Sequence, residues 1–219
     1  MNWVTYGPNT LLFRFAENVG KEALARQRGI VTDLEIHPPA GLVEFVPAFT
    51  TILLEFDPKI VPDPKLAAEE LLRRFEAAGR AKLQATTVKE IPVRYDGEDL
   101  ETLAIAKHLT ADEVRELHCG PVYNVYMLGF SPGFPYLGDL DPRLHTPRLA
   151  SPRVNVRAGS VAIGGEHTGI YTVDSPGGWN IIGHTPLKIF DPVRGEPNGP
   201  DEAMFWLKPG DRVKFVRVN

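Results

Sequence analysis

The chain has 219 residues, which suits one large domain or two small ones, and its net charge of −4 gives no general reason to expect nucleic acid or an anionic membrane as a partner. No apolar run approaches the roughly 18 residues of a membrane span, and the first residues lack the basic-then-apolar layout of a secretory signal. Cys119 is the only cysteine, which excludes a disulfide within the chain. We therefore expect a soluble, cytoplasmic protein that binds neither nucleic acid nor a membrane.

Residues 1–95 alternate between strand and helix patterns. The turn signal Gly7-Pro8-Asn9 lies between two apolar and aromatic runs, which predicts a β-hairpin. Pro64 predicts the first turn of a helix that ends at Gly79, because the apolar residues between them recur at helical spacing. The full order is strand at Trp3–Tyr6 and Leu11–Phe15, helix at Val19–Leu34, strand at Leu42–Val46 and Thr50–Phe56, the helix after Pro64, and strand at Val88–Tyr95. We expect a small α/β domain at residues 1–86, with both helices on one face of its sheet.

The remainder of the chain is rich in glycine, proline and short β patterns. A capping box at Thr110 and Glu113 predicts the start of a helix, and Asp99–His108 is a helical pattern before it. Short β patterns follow at Val122–Leu128, Val154–Val156, Ser160–Ile163, Ile170–Val173, Ile181–Ile182, Leu187–Phe190 and Arg212–Val218. Many short strands between turn signals predict a closed or nearly closed β-barrel domain at residues 87–219. The expected fold class is therefore α+β.

Two segments of glycine, proline and aromatic residues carry the main functional signal, Gly129–Pro142 and Ser175–Pro186. Rigid turns that present large rings build either a buried corner or a binding surface. We favour a pocket in which Trp179 lies with Phe134 and Tyr171, because tryptophan beside a double glycine suits the close approach of a ligand. The alternative is a buried barrel corner in which Trp179 is only part of the core.

The double glycine Gly177-Gly178 has a second predicted role. Glycine adopts backbone conformations that are closed to other residues, and successive bare N–H groups form a concave site for an anion. We therefore expect the backbone N–H groups of these two residues to hold a negatively charged group of the ligand.

Arginines supply candidate cations between the two segments. Arg148 and Arg153 directly follow prolines, which restrict the backbone and give the guanidinium groups a fixed direction. Planar guanidinium groups suit a carboxylate or phosphate of a small molecule. The alternative is that they pair with nearby aspartates and lock the loops together, and for these two residues both interpretations stay open. For Arg143 and Arg157 we favour the ion-pair interpretation.

Other motifs do not predict a site. Gly129–Gly133 matches the G-x-S-x-G pattern of serine hydrolases, but Pro132 follows the serine and has no N–H to stabilise an oxyanion. Gly159–Gly165 spaces glycines like a phosphate loop but lacks the lysine of such loops, so any ATP phosphates are expected on another chain. His118-Cys119 favours packing over chemistry, and the six histidines lack the close pairing of zinc sites. We expect no metal site and assign no catalytic acid or base.

Several long motifs together resemble a known family. They are Gly129–Leu144, Thr146–Arg153, Ala158–Gly165, Thr168–Tyr171 and Ser175–Pro186, with Val43–Pro58 and Ile91–Gly97 in the first part. In this order they are similar to the KipI-like or allophanate hydrolase subunit 1 family, whose members include the B subunit of bacterial ATP-dependent 5-oxoprolinase. The resemblance spans nearly the whole chain, and it implies a small amino-terminal α/β domain followed by a cyclophilin-like β-barrel.

The resemblance also implies partners and a reaction. A KipA-like C subunit and a LamB/YcsF-type A subunit complete the 5-oxoprolinase, which opens 5-oxo-L-proline to L-glutamate with ATP hydrolysis. ATP with Mg is then expected for the complex, and no cofactor is expected on this chain alone. The KipI name implies an alternative, a regulatory inhibitor whose partner is a sensor histidine kinase. A subunit that acts on urea or another amide is a third interpretation.

The residues expected to bind the small-molecule substrate are Arg148, Arg153, Phe134, Tyr136, Tyr171, Gly177, Gly178, Trp179 and His184. Two positions depart from the family pattern. His184 stands where the family usually has arginine, so it is expected to bind an anion only when protonated. Arg157 stands where the family usually has proline.

Overall fold

The computed structural model describes residues 1–80, 87–194 and 201–219 of the chain. Two compact units divide it, Met1–Ala85 and Thr86–Asn219. The domain boundary expected between residues 86 and 87 falls on residue 86, which lies outside the described residues, so that boundary stays a prediction. No helix in the described ranges is long and apolar enough to cross a membrane.

The first unit consists of a four-stranded antiparallel sheet and two helices. Its elements are β1 (Asn2–Gly7), β2 (Thr10–Arg14), α1 (Lys21–Ile36), β3 (Leu42–Ala48), β4 (Thr51–Phe56) and α2 (Lys65–Ala78). The strand order is β1-β2-β4-β3. The predicted hairpin is confirmed, because β1 pairs with β2 around its turn. Helix α2 begins directly after Pro64 and ends before Gly79, as predicted.

Alternate residues of the first sheet face the two helices. Leu11 and Phe13 of β2 are fully buried and share one core cluster with Leu34 of α1 and Phe75 of α2. The rings of Phe13 and Phe75 pack edge to face, with centroids 5.1 Å apart. Because residues two apart on a strand point to the same side, both helices cover the same face of the sheet, as predicted.

The second unit contains a seven-stranded sheet, a two-stranded sheet and two helices. Its elements are β5 (Val88–Val93), α3 (Leu100–Ala106), α4 (Ala111–Cys119), β6 (Tyr123–Leu128), β7 (Pro135–Gly138), β8 (Arg153–Val156), β9 (Ser160–Gly164), β10 (His167–Ile170), β11 (Ser175–Gly177), β12 (Asn180–His184) and β13 (Arg212–Arg217). The large sheet has the order β12-β9-β10-β7-β6-β13-β5, and the small sheet pairs β8 with β11. Only β5 and β13 are parallel among the strand pairs of the described large sheet.

Backbone hydrogen bonds connect the two ends of the large sheet. Arg94 N donates to His184 O at 2.9 Å, and His184 N donates to Arg94 O at 2.8 Å. Asp99 N continues the contact along β12 by donating to Ile181 O at 3.0 Å. The sheet is thereby nearly closed into a barrel, as the many short strands predict.

The capping box predicted for α4 is present. Thr110 Oγ1 accepts a hydrogen bond from Glu113 N at 3.2 Å, and the Glu113 carboxylate accepts one from Thr110 N at 2.7 Å. These two bonds satisfy backbone N–H groups that have no partner within the helix.

Two strands of the second unit are not predicted from the sequence, and two predicted strands are wrong. Pro135–Gly138 and Ser175–Gly177 form β7 and β11, where the sequence predicts only turns; proline is tolerated at the start of a strand and at irregular pairs such as the one in β11. The strand predicted at Ile170–Val173 ends at Ile170. Leu187–Phe190 forms a single bridge to Phe205, because its backbone bonds an irregular segment rather than a strand.

Candidate functional site

An open cavity of about 300 Å³ lies between the two segments that the sequence singles out. A cavity of this size suits a small metabolite. The set of lining residues contains every residue expected to bind substrate except Arg153 and His184. The lining residues are Phe130, Phe134, Tyr136, Arg148, Leu149, Pro152, Tyr171, Pro176, Gly177, Gly178 and Trp179.

Phe134 is the centre of the aromatic wall of the cavity. Its ring packs edge to face against the rings of Tyr136, Tyr171 and Trp179, with centroid distances of 5.1, 5.3 and 5.3 Å. Phe134 is 1% exposed and Trp179 is 5% exposed, so each ring is mostly packed and presents only a small part of its surface to the cavity. The wall therefore combines the two interpretations of the sequence: it is a packed corner and it lines a pocket.

Strands place these rings around the cavity. Tyr136 lies on β7, and Tyr171 directly follows β10, which pairs with β7. Trp179 lies between β11 and β12. Phe130, which the site prediction omits, forms an exposed rim in the turn before β7, with a φ of 72°. Its signal in the sequence is the glycine and proline pattern of that turn.

Glycines allow the rings to approach the backbone. A Cβ on Gly164 would lie 2.5 Å from the Trp179 ring, and one on Gly177 would lie 2.2 Å from Tyr171 Oη. Neither Gly177 nor Gly178 has a positive φ. Close packing against Tyr171 is the reason for glycine at position 177. At Gly178 a Cβ would have its nearest neighbour 3.7 Å away, so a methyl group fits there.

Arg148 provides positive charge at the cavity. Its guanidinium carbon lies 5.8 Å from the centroid of the Trp179 ring, within the range of a cation–π interaction. The described parts of the chain place no carboxylate in an ion pair with Arg148. Burial raises the pKa of Tyr136 and of Tyr171, and the nearby Arg148 charge acts in the opposite direction. The cavity thus combines apolar rings, neutral hydroxyl groups and an available guanidinium, which suits a small flat molecule with a carboxylate.

Arg153 lies outside the lining. Its Nε is 2.8 Å from a Glu98 oxygen, and its Nη2 is 2.7 Å from Asp99 Oδ1. Two carboxylates therefore match its charge, which leaves little attraction for an anionic ligand. The sequence gives no signal for these partners, because Asp99 lies 54 positions earlier in the chain. For Arg143 the ion-pair interpretation is confirmed, since two of its nitrogens donate to Asp141.

His184 also lies outside the lining, at the end of β12. Its Nδ1 donates a hydrogen bond to Asp96 Oδ1 at 2.7 Å, and both side chains are nearly half exposed. Its backbone forms the bridge to Arg94 that connects the ends of the sheet. The structure thus gives His184 a place in the closure of the barrel.

His118 belongs to a sealed polar network elsewhere in the second unit. Its Nδ1 lies 2.6 Å from Tyr95 Oη, and its Nε2 lies 2.8 Å from Thr168 Oγ1. Because Thr168 donates its own proton to Ala162 O, it accepts from Nε2, and Tyr95 therefore donates to Nδ1. Burial lowers the pKa of His118 to about 3, so the imidazole is neutral. The geometry gives His118 a structural role.

Ser131 has no catalytic geometry. Its Oγ is buried without a hydrogen-bond partner in the described structure, and strand β7 rather than a helix follows its turn. A nucleophilic serine needs an adjacent base to take its proton. Across residues 1–80, 87–194 and 201–219, no group of three or more His, Cys, Asp or Glu side chains is arranged to hold a metal ion.

The chain is similar to proteins that match most of its length. It is 37% identical over 228 residues to the B subunit of 5-oxoprolinase from Bacillus subtilis (strain 168), covering 97% of this chain and 91% of that protein. It is 44% identical over 182 residues to the B subunit of 5-oxoprolinase from Escherichia coli O157:H7, covering 80% of this chain and 78% of that protein.

Solved structures share the fold. The crystal structure of TTHA0988 in space group P212121 matches 96% of this chain with 41% identity and a TM-score of 0.83, and the match spans 40% of the TTHA0988 chain. The Kluyveromyces lactis urea carboxylase, at 20% identity and a TM-score of 0.72, shows the fold alone; it matches 99% of this chain and 22% of its own. The family described as "Carboxyltransferase domain, subdomain C and D" matches residues 1–199. On this extent of agreement, the chain belongs to the carboxyltransferase subdomain C and D family, with the 5-oxoprolinase B subunits as its relatives.

Proposed function

We propose that this chain is the B subunit of an ATP-dependent 5-oxoprolinase and that its cavity holds 5-oxo-L-proline. The observation that carries this proposal is the similarity, over 97% of the chain, to a protein named as the B subunit of 5-oxoprolinase. In the proposed reaction the complex opens the lactam of 5-oxo-L-proline to L-glutamate with hydrolysis of ATP.

The chemistry of the cavity supports this substrate. 5-Oxo-L-proline is a small, nearly flat ring with one carboxylate and one neutral amide. The apolar surfaces of Phe134, Tyr136 and Trp179 suit the ring, and Arg148 suits the carboxylate through paired charge-assisted hydrogen bonds. Tyr171 and the Gly177-Gly178 main chain complete the enclosure in this proposal. Arg153 and His184 contribute indirectly, by holding the structure around the cavity.

Other chains complete the proposed enzyme. The relatives are named as B subunits, which implies further subunits in their complexes, and we propose a KipA-like C subunit and a LamB/YcsF-type A subunit as partners. Gly159–Gly165 contains the fully buried strand β9 rather than an exposed loop, which supports binding of ATP and its Mg by another chain of the complex. We propose a cytoplasmic location for the complex, because ATP is available there.

The same proposal extends to the fold. The nearly closed seven-stranded sheet supports a cyclophilin-like barrel for residues 87–219, preceded by an α/β domain at residues 1–86. A shared barrel fold carries no implication of prolyl isomerase activity, because chemistry depends on the site rather than the fold.

Reconstitution tests the proposed function. ATP-dependent release of glutamate from 5-oxo-L-proline is measured with the purified chain alone, with the KipA-like and LamB/YcsF-type partners alone, and with all three mixed. We expect release only from the full mixture. Equal release with and without this chain contradicts the proposal, and turnover of urea instead of 5-oxo-L-proline supports the amide alternative. Inhibition of a sensor histidine kinase without lactam opening supports the regulatory alternative, to which no relative named above points.

A further inference from the structure

We infer that Asp99 and Arg153 form a positioning pair behind the cavity, which fixes Trp179 and so sets ligand affinity without contact between the pair and the ligand. The choice of 5-oxo-L-proline as the ligand rests on the proposed function. The effect on Trp179 itself rests on the contacts of the second unit alone.

Asp99 binds β12 and Arg153 at the same time. Its Oδ2 accepts a hydrogen bond from Ile181 N at 2.7 Å, and its own N–H donates to Ile181 O at 3.0 Å. Its Oδ1 accepts from Arg153 Nη2 at 2.7 Å. The Asp99 side chain is only 15% exposed, and charged hydrogen bonds are stronger where water is excluded. Asp99 thus fixes the strand two residues beyond Trp179.

Arg153 contacts the main chain of Trp179 itself. Its Nη1 donates to Trp179 O across 3.5 Å, and its position in β8 pairs with Gly177 of β11. Its Nε is held by Glu98. One planar guanidinium therefore spans from the residues before α3 to the main chain of the tryptophan. A lysine has no such fork, because its charge sits on a single nitrogen.

The placement of Trp179 matters because its ring has little free space and lies beside the positively charged guanidinium of Arg148. A Cβ on Gly164 would lie 2.5 Å from the ring, and one on Gly169 would lie 3.0 Å from it. The guanidinium carbon of Arg148 lies 5.8 Å from the ring centroid. A small shift of the ring therefore changes both the aromatic wall and the position of Arg148, the group proposed to bind the ligand carboxylate.

The test follows Trp179 directly in the full chain. Trp3→Phe and Trp206→Phe leave Trp179 as the only tryptophan, since the chain has three. Arg153→Gln, Asp99→Asn and the double variant are then compared for quenching of Trp179 fluorescence by acrylamide and for binding of 5-oxo-L-proline. Arg143→Gln is the matched control, because it breaks another arginine–aspartate pair, on an exposed turn outside the lining.

We expect each single variant to raise the quenching of Trp179 and to weaken 5-oxo-L-proline binding roughly tenfold, the size of one lost charge-assisted hydrogen bond. The double variant is expected to lose no more than either single variant, because the two residues act as one unit. Arg143→Gln is expected to change neither quantity.

The outcomes separate this inference from the proposed function. Folded variants with unchanged quenching overturn the positioning pair, whatever the ligand result. Raised quenching in a protein whose parent does not bind 5-oxo-L-proline supports the pair and contradicts the proposed ligand. Losses that add in the double variant also overturn the inference. Should Arg153→Gln fail to fold, Arg153→Lys keeps the charge without the fork, and unchanged quenching in that variant overturns the pair equally.

Discussion

The aromatic cavity and the His118 network both combine ring side chains with polar groups. In the network the polar groups bond to one another, whereas in the cavity the charged group is left open to solvent. In the network, Tyr95, His118 and Thr168 form a directed chain of hydrogen bonds that is sealed from solvent. In the cavity, Trp179 is also buried, yet the Arg148 beside it is exposed and, within the described residues, has no ion-pair partner.

The two regions differ in whether the chain itself supplies the hydrogen-bond partners of their polar groups. A buried polar network whose members all bond to one another stabilises the fold, and loss of one member leaves the others without partners. An exposed guanidinium beside an apolar wall keeps its hydrogen-bond capacity for a ligand. Changes in the network should therefore alter stability, and changes at the cavity should alter affinity.

The largest effect on the free energy of unfolding is expected from His118→Leu. This change removes the acceptor of Tyr95 and the stacking of the imidazole on Phe215, whose ring centroid is 4.4 Å away. We expect the free energy of unfolding to fall by about 3 kcal/mol, measured by urea denaturation. Binding of 5-oxo-L-proline by the folded fraction is expected to stay unchanged. His118→Gln supplies both a donor and an acceptor and should recover part of the loss; equal losses in both variants contradict this explanation.

The same residue predicts how stability depends on pH. The pKa of His118 is about 3 in the folded chain, against an ordinary value of 6.5. The unfolded chain therefore binds this proton more readily, so stability falls as pH drops below 6.5 and continues to fall toward 3. The slope from this residue is about 1.4 kcal/mol per pH unit. We expect His118→Gln to lose that slope and the exposed control His108→Asn to keep it. Equal slopes in the two variants refute the assignment.

A pair of glycine substitutions tests a place where one change should affect both the stability of the fold and the affinity for the ligand. In Gly177→Ala the new methyl group would meet Tyr171 Oη at 2.2 Å, so the ring must move. We expect a loss of about 2 kcal/mol in unfolding free energy together with weaker ligand binding. Gly178→Ala meets no atom within 3.7 Å and is expected to change stability by less than about 0.5 kcal/mol. Similar behaviour of the two variants would show that steric contact with Tyr171 is not the reason for glycine.

Local patterns in the sequence predict much of the fold. The hairpin of β1 and β2, helix α2 after Pro64 and the capping box at Thr110 all depend on residues within a few positions of each other. Turn chemistry and helical spacing act over that range, so the sequence alone specifies them. Proline predicts a turn at Pro135, but this residue is the first of strand β7.

The cavity is predictable in composition and not in its electrostatics. Phe134 and Trp179 lie in segments with a strong local signal. Arg148 and Arg153 have the same local signal, a preceding proline, and the structure separates them completely. The separation depends on Asp99, which approaches Arg153 only when the chain closes the barrel. A contact between residues so far apart in the chain leaves no periodicity or spacing to detect.

The smallest effect on stability is expected at Arg148, where the change should act on ligand binding alone. Arg148→Gln removes an exposed charge that makes no ion pair within the described ranges, so stability is expected to change by less than about 0.5 kcal/mol. Binding of 5-oxo-L-proline is expected to weaken about tenfold, measured by titration calorimetry. Arg148→Lys, which keeps the charge but loses the planar fork, should fall between the two. The neutral carboxamide of 5-oxo-L-proline is the matched ligand, since its binding should not respond to the change. An equal loss for both ligands would mean that Arg148 acts through the shape of the cavity rather than through the carboxylate.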